Sequence, residues 1–347
     1  MAENRSIDVS FRGSGGTALA GTLQLPAGAD GRRVPAVLLV QGSGPTDRDG
    51  NQPPALITDL LQQIAGTLAG FGIASLRYDK RGMHANAASL PRDPEALAEF
   101  VRWRHFVEDA AAAFRALKSR PEIDPARAGL FGHSEGGLIG LAMAARPGGD
   151  AVPAALVLAA TPGRPLGVVL REQLERLGRL QGAPDAILQP LLDQNDQIVA
   201  RLEATGELMP DIAPGLRALY PPYLRLFWQA AAALDPVALV AGYGGPVLVL
   251  AGGEDSQVSP DRDALALGAA LARRSLPVNA YAIGIVPGVS HNLKPVSRPG
   301  DPGFAGPVAE AVTTVLHGWF TGLGWASPSL QVAGQQGRRS PSSLTFR

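Results

Sequence analysis

The chain has 347 residues, 46% of them hydrophobic, and its 31 Lys and Arg balance its 31 Asp and Glu, so the formal net charge is zero. This size and apolar content predict a large buried core, in one domain with an insertion or in two domains. The balanced charge gives no indication of a nucleic-acid partner, and the absence of cysteine excludes disulfides, thiolate metal sites and cysteine nucleophiles. The polar N-terminus has no signal-peptide pattern and no apolar stretch has the length of a membrane span, so we expect a cytoplasmic protein without a membrane partner.

A hairpin and six further strands are predicted from the distribution of apolar residues. Residues 7–25 alternate between apolar and polar side chains around a Gly-Ser-Gly-Gly turn, which is typical of an antiparallel hairpin. Short, continuous apolar runs follow, as expected for strands buried on both faces. These runs are 36–40, 73–76, 128–131, 155–159, 247–251 and 280–286. Because helical stretches separate them, they predict an α/β fold with a mostly parallel central sheet flanked by helices.

Three helices outside the long interval described next have clear start or stop signals. An Ala-rich stretch at 95–118 predicts one long helix, which ends before Pro121. Ser259 and Pro260 predict the start of a helix over 261–273, as a cap followed by proline at the first helical position. A last helix is predicted over 307–320.

One interval is too long to be a loop in a compact domain. Between the strands at 155–159 and 247–251 there is no strand pattern, and helical patterns occur at 166–180, 185–202 and 213–234. We therefore predict a core domain over 1–162 and 244–326, with a helical cap inserted at 163–243. Residues 327–347 are rich in Ser, Gly, Gln and Arg and predict a disordered tail.

The motif Gly-His-Ser-Glu-Gly at 132–136 predicts a nucleophilic serine. A serine on a sharp strand-to-helix turn has strained backbone angles and leaves no room for side chains two positions away, which explains the glycines. A predicted strand precedes the motif and a helical pattern at 138–145 follows it. Ser134 is therefore the predicted nucleophile, because the alternative of a glycine-rich structural turn does not account for this context.

A nucleophilic serine needs a base and the base needs an orienting carboxylate, in the chain order Ser, acid, His. Two histidines follow Ser134. His291 lies in a loop after the last predicted strand, where it can reach a site above the strand ends, whereas His317 lies inside the final helix. His291 is the predicted base.

The acid is expected in the loop after the strand at 247–251. Asp255 is the predicted acid, and Glu254 is its rival in the adjacent position. Asp261 and Asp263 fit the first turn of a helix, where the helix dipole favours carboxylates.

The oxyanion that develops during acyl transfer needs two backbone N–H donors. One is predicted at Glu135, directly after the nucleophile, and the other at Ser43, in the loop after the strand at 36–40. That loop is not followed by Gly-Lys-Ser/Thr, so it does not fit a phosphate-binding loop. Asp79, Lys80 and Arg81 are interpreted as a structural ion-pair loop. His, Asp and Glu show no metal-ligand spacing, and no metal is predicted.

These motifs together resemble the α/β-hydrolase superfamily. The elbow at 132–136, Asp255 and His291 are similar to its triad, in the same order. Residues 42–50, Gly-Ser-Gly-Pro-Thr-Asp-Arg-Asp-Gly, resemble the opening loop of one branch of bacterial carboxylesterases, and residues 77–82 resemble the loop after the next strand. The similarity extends over about residues 7–320. After Gly82 the family more often has Gly-x-Ser, so that side of the pocket is expected to differ here.

The resemblance implies a serine carboxylesterase that hydrolyses short acyl esters, with a helical cap over the site and no cofactor. The expected partner is a small-molecule ester, and a homodimer is one option for the assembly. Phe227 and Trp228, in the insertion, are predicted to line an apolar acyl pocket; the alternative is that they only pack the insertion onto the core.

Other functions use the same residues. A peptidase, an amidase or a thioesterase would need the same triad, and a long-chain lipase would need an opening lid. A non-catalytic binding protein of this fold is disfavoured, because all three triad candidates are present.

Overall fold

Eight strands form one sheet in the computed structural model, which describes residues 3–29, 31–146, 149–274, 280–298 and 301–328. The strands are β1 (Arg5–Arg12), β2 (Ala18–Leu25), β3 (Val34–Val40), β4 (Ala74–Tyr78), β5 (Ile123–His133), β6 (Leu156–Ala159), β7 (Val247–Gly252) and β8 (Tyr281–Val286). Their order is β1-β2-β4-β3-β5-β6-β7-β8. The pairs β1–β2 and β2–β4 are antiparallel and all others are parallel. The predicted hairpin and mostly parallel sheet are confirmed.

Helices cover both faces of this sheet. They are α1 (Leu60–Gly70), α2 (Pro94–Phe100), α3 (Trp103–Lys118), α4 (Glu135–Ala144), α5 (Leu166–Leu180), α6 (Asp185–Thr205), α7 (Arg225–Ala232), α8 (Pro236–Gly242), α9 (Leu265–Ala272) and α10 (Glu310–Gly322). Along β3, Leu38 belongs to the core on the side of α3 and α4, and Leu39 to the core on the side of α1 and α10. Alternate residues of one strand thus enter opposite cores, which is why the strand is apolar throughout.

The predicted helix at 95–118 is two helices, α2 and α3. The Asp93 side chain accepts a hydrogen bond from Ala96 N at 2.8 Å and caps α2. The chain breaks at Val101 and Arg102, where the carbonyl of Phe100 accepts a hydrogen bond from Arg81 Nη1 at 3.1 Å. The break between α2 and α3 thus includes a hydrogen bond from a residue distant in the chain, which helix propensity does not predict.

The interval between β6 and β7 is helical, as predicted, and residues 160–246, all of them described, contain no strand. Instead of one helix at 213–234, it has short 3₁₀ turns at Pro214–Leu216 and Pro222–Leu224 before α7. Consecutive prolines lack N–H donors and disfavour helical geometry in the residue before them, which explains the interruption.

Helix α8 lies within the predicted insertion, which ends at residue 243. It nevertheless packs against the core helices α4 and α9. The division into core and cap at 162/163 and 243/244 stays a prediction. Nearly all of the predicted disordered tail, from residue 329 on, lies outside the described residues. Within the described ranges, no single helix is long and apolar enough to cross a membrane. The bent pair Pro222–Ala232 and Pro236–Gly242 has sufficient length and apolarity only when its two helices are taken together.

Candidate active site

Ser134 stands on the turn between β5 and α4, with φ 54° and ψ −121°. Its N–H donates to the carbonyl of Ala159 at 2.8 Å. A Cβ atom at Gly132 would lie 2.4 Å from the carbonyl oxygen of Gly136, and one at Gly136 would lie 2.2 Å from the carbonyl oxygen of Val40. The strained angles at the serine are therefore held by close backbone packing that only glycine permits.

Two buried side chains meet beside this turn. Asp255 follows β7 and His291 follows β8, and the Asp255 Oδ2 atom lies 2.8 Å from His291 Nδ1. The other carboxylate oxygen of Asp255 accepts hydrogen bonds from Gln257 N at 2.8 Å and Val258 N at 2.9 Å. The carboxylate is thus fixed on one side by the backbone, and its free side faces the imidazole. This arrangement can hold the proton of His291 on Nδ1 and leave Nε2 as a base.

The rival candidates lie elsewhere. Glu254 is exposed to solvent, and Asp263 is fully buried in an ion pair with Arg164, 2.8 Å between Arg164 Nη2 and Asp263 Oδ2. Asp261 is exposed. His317 lies on α10 with its ring 4.9 Å from that of Phe71. The structure therefore brings Asp255, and none of these carboxylates, to His291.

Ser134 and His291 line one cavity of about 230 Å³. Most of its wall comes from the segment 41–61, which links β3 to α1, and the rest includes Gln257, Asn292 and Phe304. Among the described residues that line it, none is Asp, Glu, Lys or Arg. Glutamine, asparagine, serine and threonine side chains lie in the wall together with Leu56, Leu60 and Leu61, so the cavity is of mixed polarity.

Phe227 and Trp228 are not among the described residues that line this cavity. The ring of Phe227 packs edge-on against Trp103 and Phe106 of α3, with centroids 5.4 and 5.8 Å apart. Trp228 donates its indole N–H to the carbonyl of Leu219 at 2.8 Å. Both side chains are buried, and Phe227 packs the insertion onto the core, as the packing alternative proposed. Their prediction as pocket residues is therefore not supported, because α7 turns its apolar face to α3.

The two predicted oxyanion donors flank Ser134. Ser43 lines the same cavity as Ser134, and Glu135 is the first residue of α4. A Cβ atom at the neighbouring Gly42 would lie 3.4 Å from Ser134 Cβ, so the loop approaches the serine closely. Over the ranges that the structure describes, neither the Ser43 N–H nor the Glu135 N–H donates a hydrogen bond. Both groups are therefore without a hydrogen-bond acceptor among the described residues.

Ion pairs with the end of β4 hold the loop of residues 42–50 in place. Arg48 donates from Nε and Nη2 to Asp79 Oδ2 at 3.1 and 2.7 Å. In the opposite direction, Arg77 Nε donates to Asp49 at 2.6 Å. Asp47 Oδ1 accepts hydrogen bonds from the backbone N–H groups of Asp49 and Asn51 and closes the turn locally. The Asp-Arg-Asp sequence of this loop thus positions the wall of the cavity.

His133 is buried between the nucleophile turn and the loop of the base. Its Nε2 atom lies 2.9 Å from the carbonyl oxygen of His291, and the two rings are 4.8 Å apart. Burial, and in second place the neighbouring His291, lower the pKa of His133 from 6.5 to about 3. As a neutral group it can donate to the His291 carbonyl and hold the loop of the base. Its position directly before the nucleophile is the one signal of this contact in the sequence.

No group of three or more His, Asp or Glu that could hold a metal ion occurs among the residues described.

A strained serine at the carboxyl end of β5 and an Asp–His pair on the loops after β7 and β8, with the serine and the histidine lining one cavity, define an α/β hydrolase. Residues 58–293, which include all three side chains, match the family Hydrolase_4, described as serine aminopeptidase S33. The chain belongs to this family. The predicted α/β-hydrolase fold is thereby confirmed.

Similar proteins include esterases and peptidases. The chain is 31% identical over 242 residues to Esterase EstD of Thermotoga maritima, a match that covers 70% of this chain and 51% of the relative. A puromycin-hydrolyzing peptidase of Mycobacterium tuberculosis superimposes with a TM-score of 0.57 at 19% identity, over 94% of this chain and 40% of that one. Est1E of Butyrivibrio proteoclasticus gives 0.54 at 16% identity, over 90% and 97%. The chain thus spans about half the length of the curated relative, and the two structures show the shared fold.

Proposed function

We propose that this protein is a serine esterase that hydrolyses small, uncharged carboxylic esters. The observation that carries the proposal is the cavity shared by Ser134 and His291, in which the described wall has no Asp, Glu, Lys or Arg. The similarity to an esterase at 31% identity supports the same reaction.

The proposed reaction uses the predicted residues in the usual roles of a serine hydrolase. The Oγ atom of Ser134 attacks the ester carbonyl while His291 accepts its proton. Asp255 holds the imidazole in the required tautomer and stabilises its positive charge. The N–H groups of Ser43 and Glu135 take the developing oxyanion.

The same histidine completes both halves of the cycle. His291 gives its proton to the alcohol, which leaves, and an acyl-enzyme remains on Ser134. A water molecule deprotonated by His291 then attacks the acyl group and releases the acid.

An aminopeptidase is the second candidate, because the family description names that activity. An aminopeptidase must bind the free ammonium group of its substrate, which needs a carboxylate partner when it is removed from water. The described lining of the cavity offers none. We therefore place ester hydrolysis first.

The decisive experiment compares p-nitrophenyl acetate with an aminoacyl p-nitroanilide, in the wild type and in Ser134→Ala. We expect ester turnover by the wild type, little anilide turnover, and a loss on the order of a million-fold in kcat for the variant. A fluorophosphonate should label the wild type at Ser134, and mass spectrometry of the labelled peptide identifies the position. Faster anilide than ester turnover would contradict esterase activity, and labelling of another serine would contradict the assignment of the nucleophile.

A further inference from the structure

Lys80 connects the two segments that carry the proposed oxyanion donors. It follows β4, and its side chain is only 5% exposed. Its Nζ atom donates to the carbonyl of Gly42 at 2.6 Å, to the carbonyl of Gly44 at 3.1 Å and to Glu135 Oε1 at 3.2 Å. A lysine ammonium has three N–H donors, and here each has one acceptor.

The contact with Gly42 determines where the Ser43 N–H points. The Gly42 carbonyl and the Ser43 N–H belong to one planar peptide group, and this peptide is trans. In a trans peptide the two groups point in opposite directions, so a carbonyl held toward Lys80 directs the N–H away from it. A hydrogen bond from a cation also polarises the peptide and makes its N–H a stronger donor.

The contact with Glu135 reaches the second donor. Glu135 is the first residue of α4, and its backbone N–H is the other proposed oxyanion donor. Its carboxylate forms an ion pair with Lys80. We propose that Lys80 is a positioning residue that orients both N–H groups toward the substrate oxygen. This role rests on the proposed function, because it concerns the oxyanion of that reaction.

The next residue shows what a structural cation in this loop does. Arg81 is fully buried and pairs with Asp109 of α3, with Nε–Oδ2 and Nη2–Oδ1 distances of 2.7 Å. It also donates to the carbonyls of Phe100 and Ser14. All of these partners lie in the hairpin turn and in α2 and α3, away from Ser43 and Glu135. Arg81 therefore provides a matched control from the same loop.

The test is Lys80→Met, which keeps the apolar stem and removes all three donors. Loss of one oxyanion donor commonly lowers kcat by about 100- to 1,000-fold; because here the donors remain but are disoriented, we expect a fall of roughly 10- to 100-fold. KM for p-nitrophenyl acetate should stay within about twofold, since the oxyanion donors stabilise the transition state more than the bound ester. The rate of Ser134 phosphonylation by a fluorophosphonate should fall in parallel with kcat, because that step also develops charge on an oxygen in the same place.

Arg81→Met should lower the melting temperature and leave kcat per folded molecule unchanged. If Lys80→Met folds poorly, Lys80→Gln gives the same comparison, because its shorter, neutral side chain cannot reach three acceptors. Wild-type kcat and phosphonylation rate in a folded Lys80 variant would overturn the proposal, as would an equal fall in Arg81→Met. Phosphonylation reports on the oxyanion without an ester, so a wild type that is labelled but turns over no ester would contradict only the esterase function.

Discussion

Asp255 is held so that only one of its oxygens can meet His291. The backbone N–H groups of Gln257 and Val258 occupy Oδ1, and Oδ2 faces the imidazole Nδ1 at 2.8 Å. An ionised carboxylate can only accept hydrogen bonds, so it requires the proton of His291 to lie on Nδ1. The orientation of a single side chain therefore sets the tautomer of the base.

Asp255→Asn should retain the fold and lose activity. The amide oxygen can keep the two backbone hydrogen bonds, which places the NH2 group against Nδ1 and imposes the wrong tautomer. The expected loss in kcat is on the order of ten-thousand-fold, measured with p-nitrophenyl acetate. Glu254→Gln is the matched control in the adjacent, exposed position and should be mild. The reverse result would assign the acid to Glu254.

His133 predicts a pH dependence of stability. Its pKa is about 3 in the folded protein, mainly because burial disfavours the charged form, against about 6.5 in an unfolded chain. Between these values the unfolded chain binds more protons, so the free energy of unfolding decreases as the pH falls from about 6.5 toward 3. For one group the slope is at most about 1.4 kcal/mol per pH unit.

Urea denaturation at pH 7.5, 6.5, 5.5 and 5 measures this effect. His133→Gln should be less stable than the wild type at pH 7.5, because it disturbs a buried contact. It should then lose less stability than the wild type down to pH 5, where carboxylates affect both proteins equally. Parallel stability curves for the two proteins would show that His133 does not titrate in this way.

At the scale of elements, the segment 41–61 and helix α7 differ in what they contact. The segment 41–61 turns Thr46, Gln52 and Leu56 into the cavity and is fastened to β4 by ion pairs. Helix α7 instead turns its aromatic face to α3. The wall of the cavity is therefore a loop of the core, and α7 stabilises the attachment of the insertion.

This difference predicts opposite effects for two truncations. Phe227→Ala should lower the free energy of unfolding by about 3–5 kcal/mol, the usual cost of removing a buried Phe ring, and leave the preferred acyl length unchanged. Leu56→Ala should enlarge the cavity and shift the preference to longer acyl chains, with a smaller effect on stability. Denaturation curves and a p-nitrophenyl ester series on both variants make the comparison. A preference of Phe227→Ala for longer acyl groups would show that the Phe227 ring lines the pocket after all.

At the scale of the whole molecule, the size of the cavity limits the substrate. A volume of about 230 Å³ lies below the usual range of roughly 300–1,000 Å³ for small-molecule pockets. Each added methylene contributes about 0.8 kcal/mol only while there is apolar wall to receive it. Acetate to hexanoate esters should therefore have the highest kcat/KM, with a steep drop for longer chains. A maximum at octanoate or beyond, with a rate jump at the lipid–water interface, would indicate a lipase.

The sequence by itself determined most strands of the sheet and the candidates for the reacting groups. Strand segments buried on both faces are mostly apolar, so β3, β6, β7 and the last part of β5 were visible as short apolar runs. The nucleophile turn leaves no room for Cβ atoms at Gly132 and Gly136, so a short motif of adjacent residues is enough to predict it. The order of Ser134, Asp255 and His291 follows from the connection of the strands, because their carboxyl ends meet at one edge of the sheet.

Only the tertiary structure decided which side chains surround those groups. The partners of Lys80 are 36–55 residues away in the chain, and its charge alone was interpreted as structural. The face that α7 presents depends on Trp103 and Phe106, about 120 residues earlier, since an apolar helix face packs equally well on a core or on a pocket. Local sequence patterns reflect the backbone conformation of each segment, so they predict strands, helices and turns. Pocket walls and positioning contacts arise from packing between distant segments, so no local pattern predicts them.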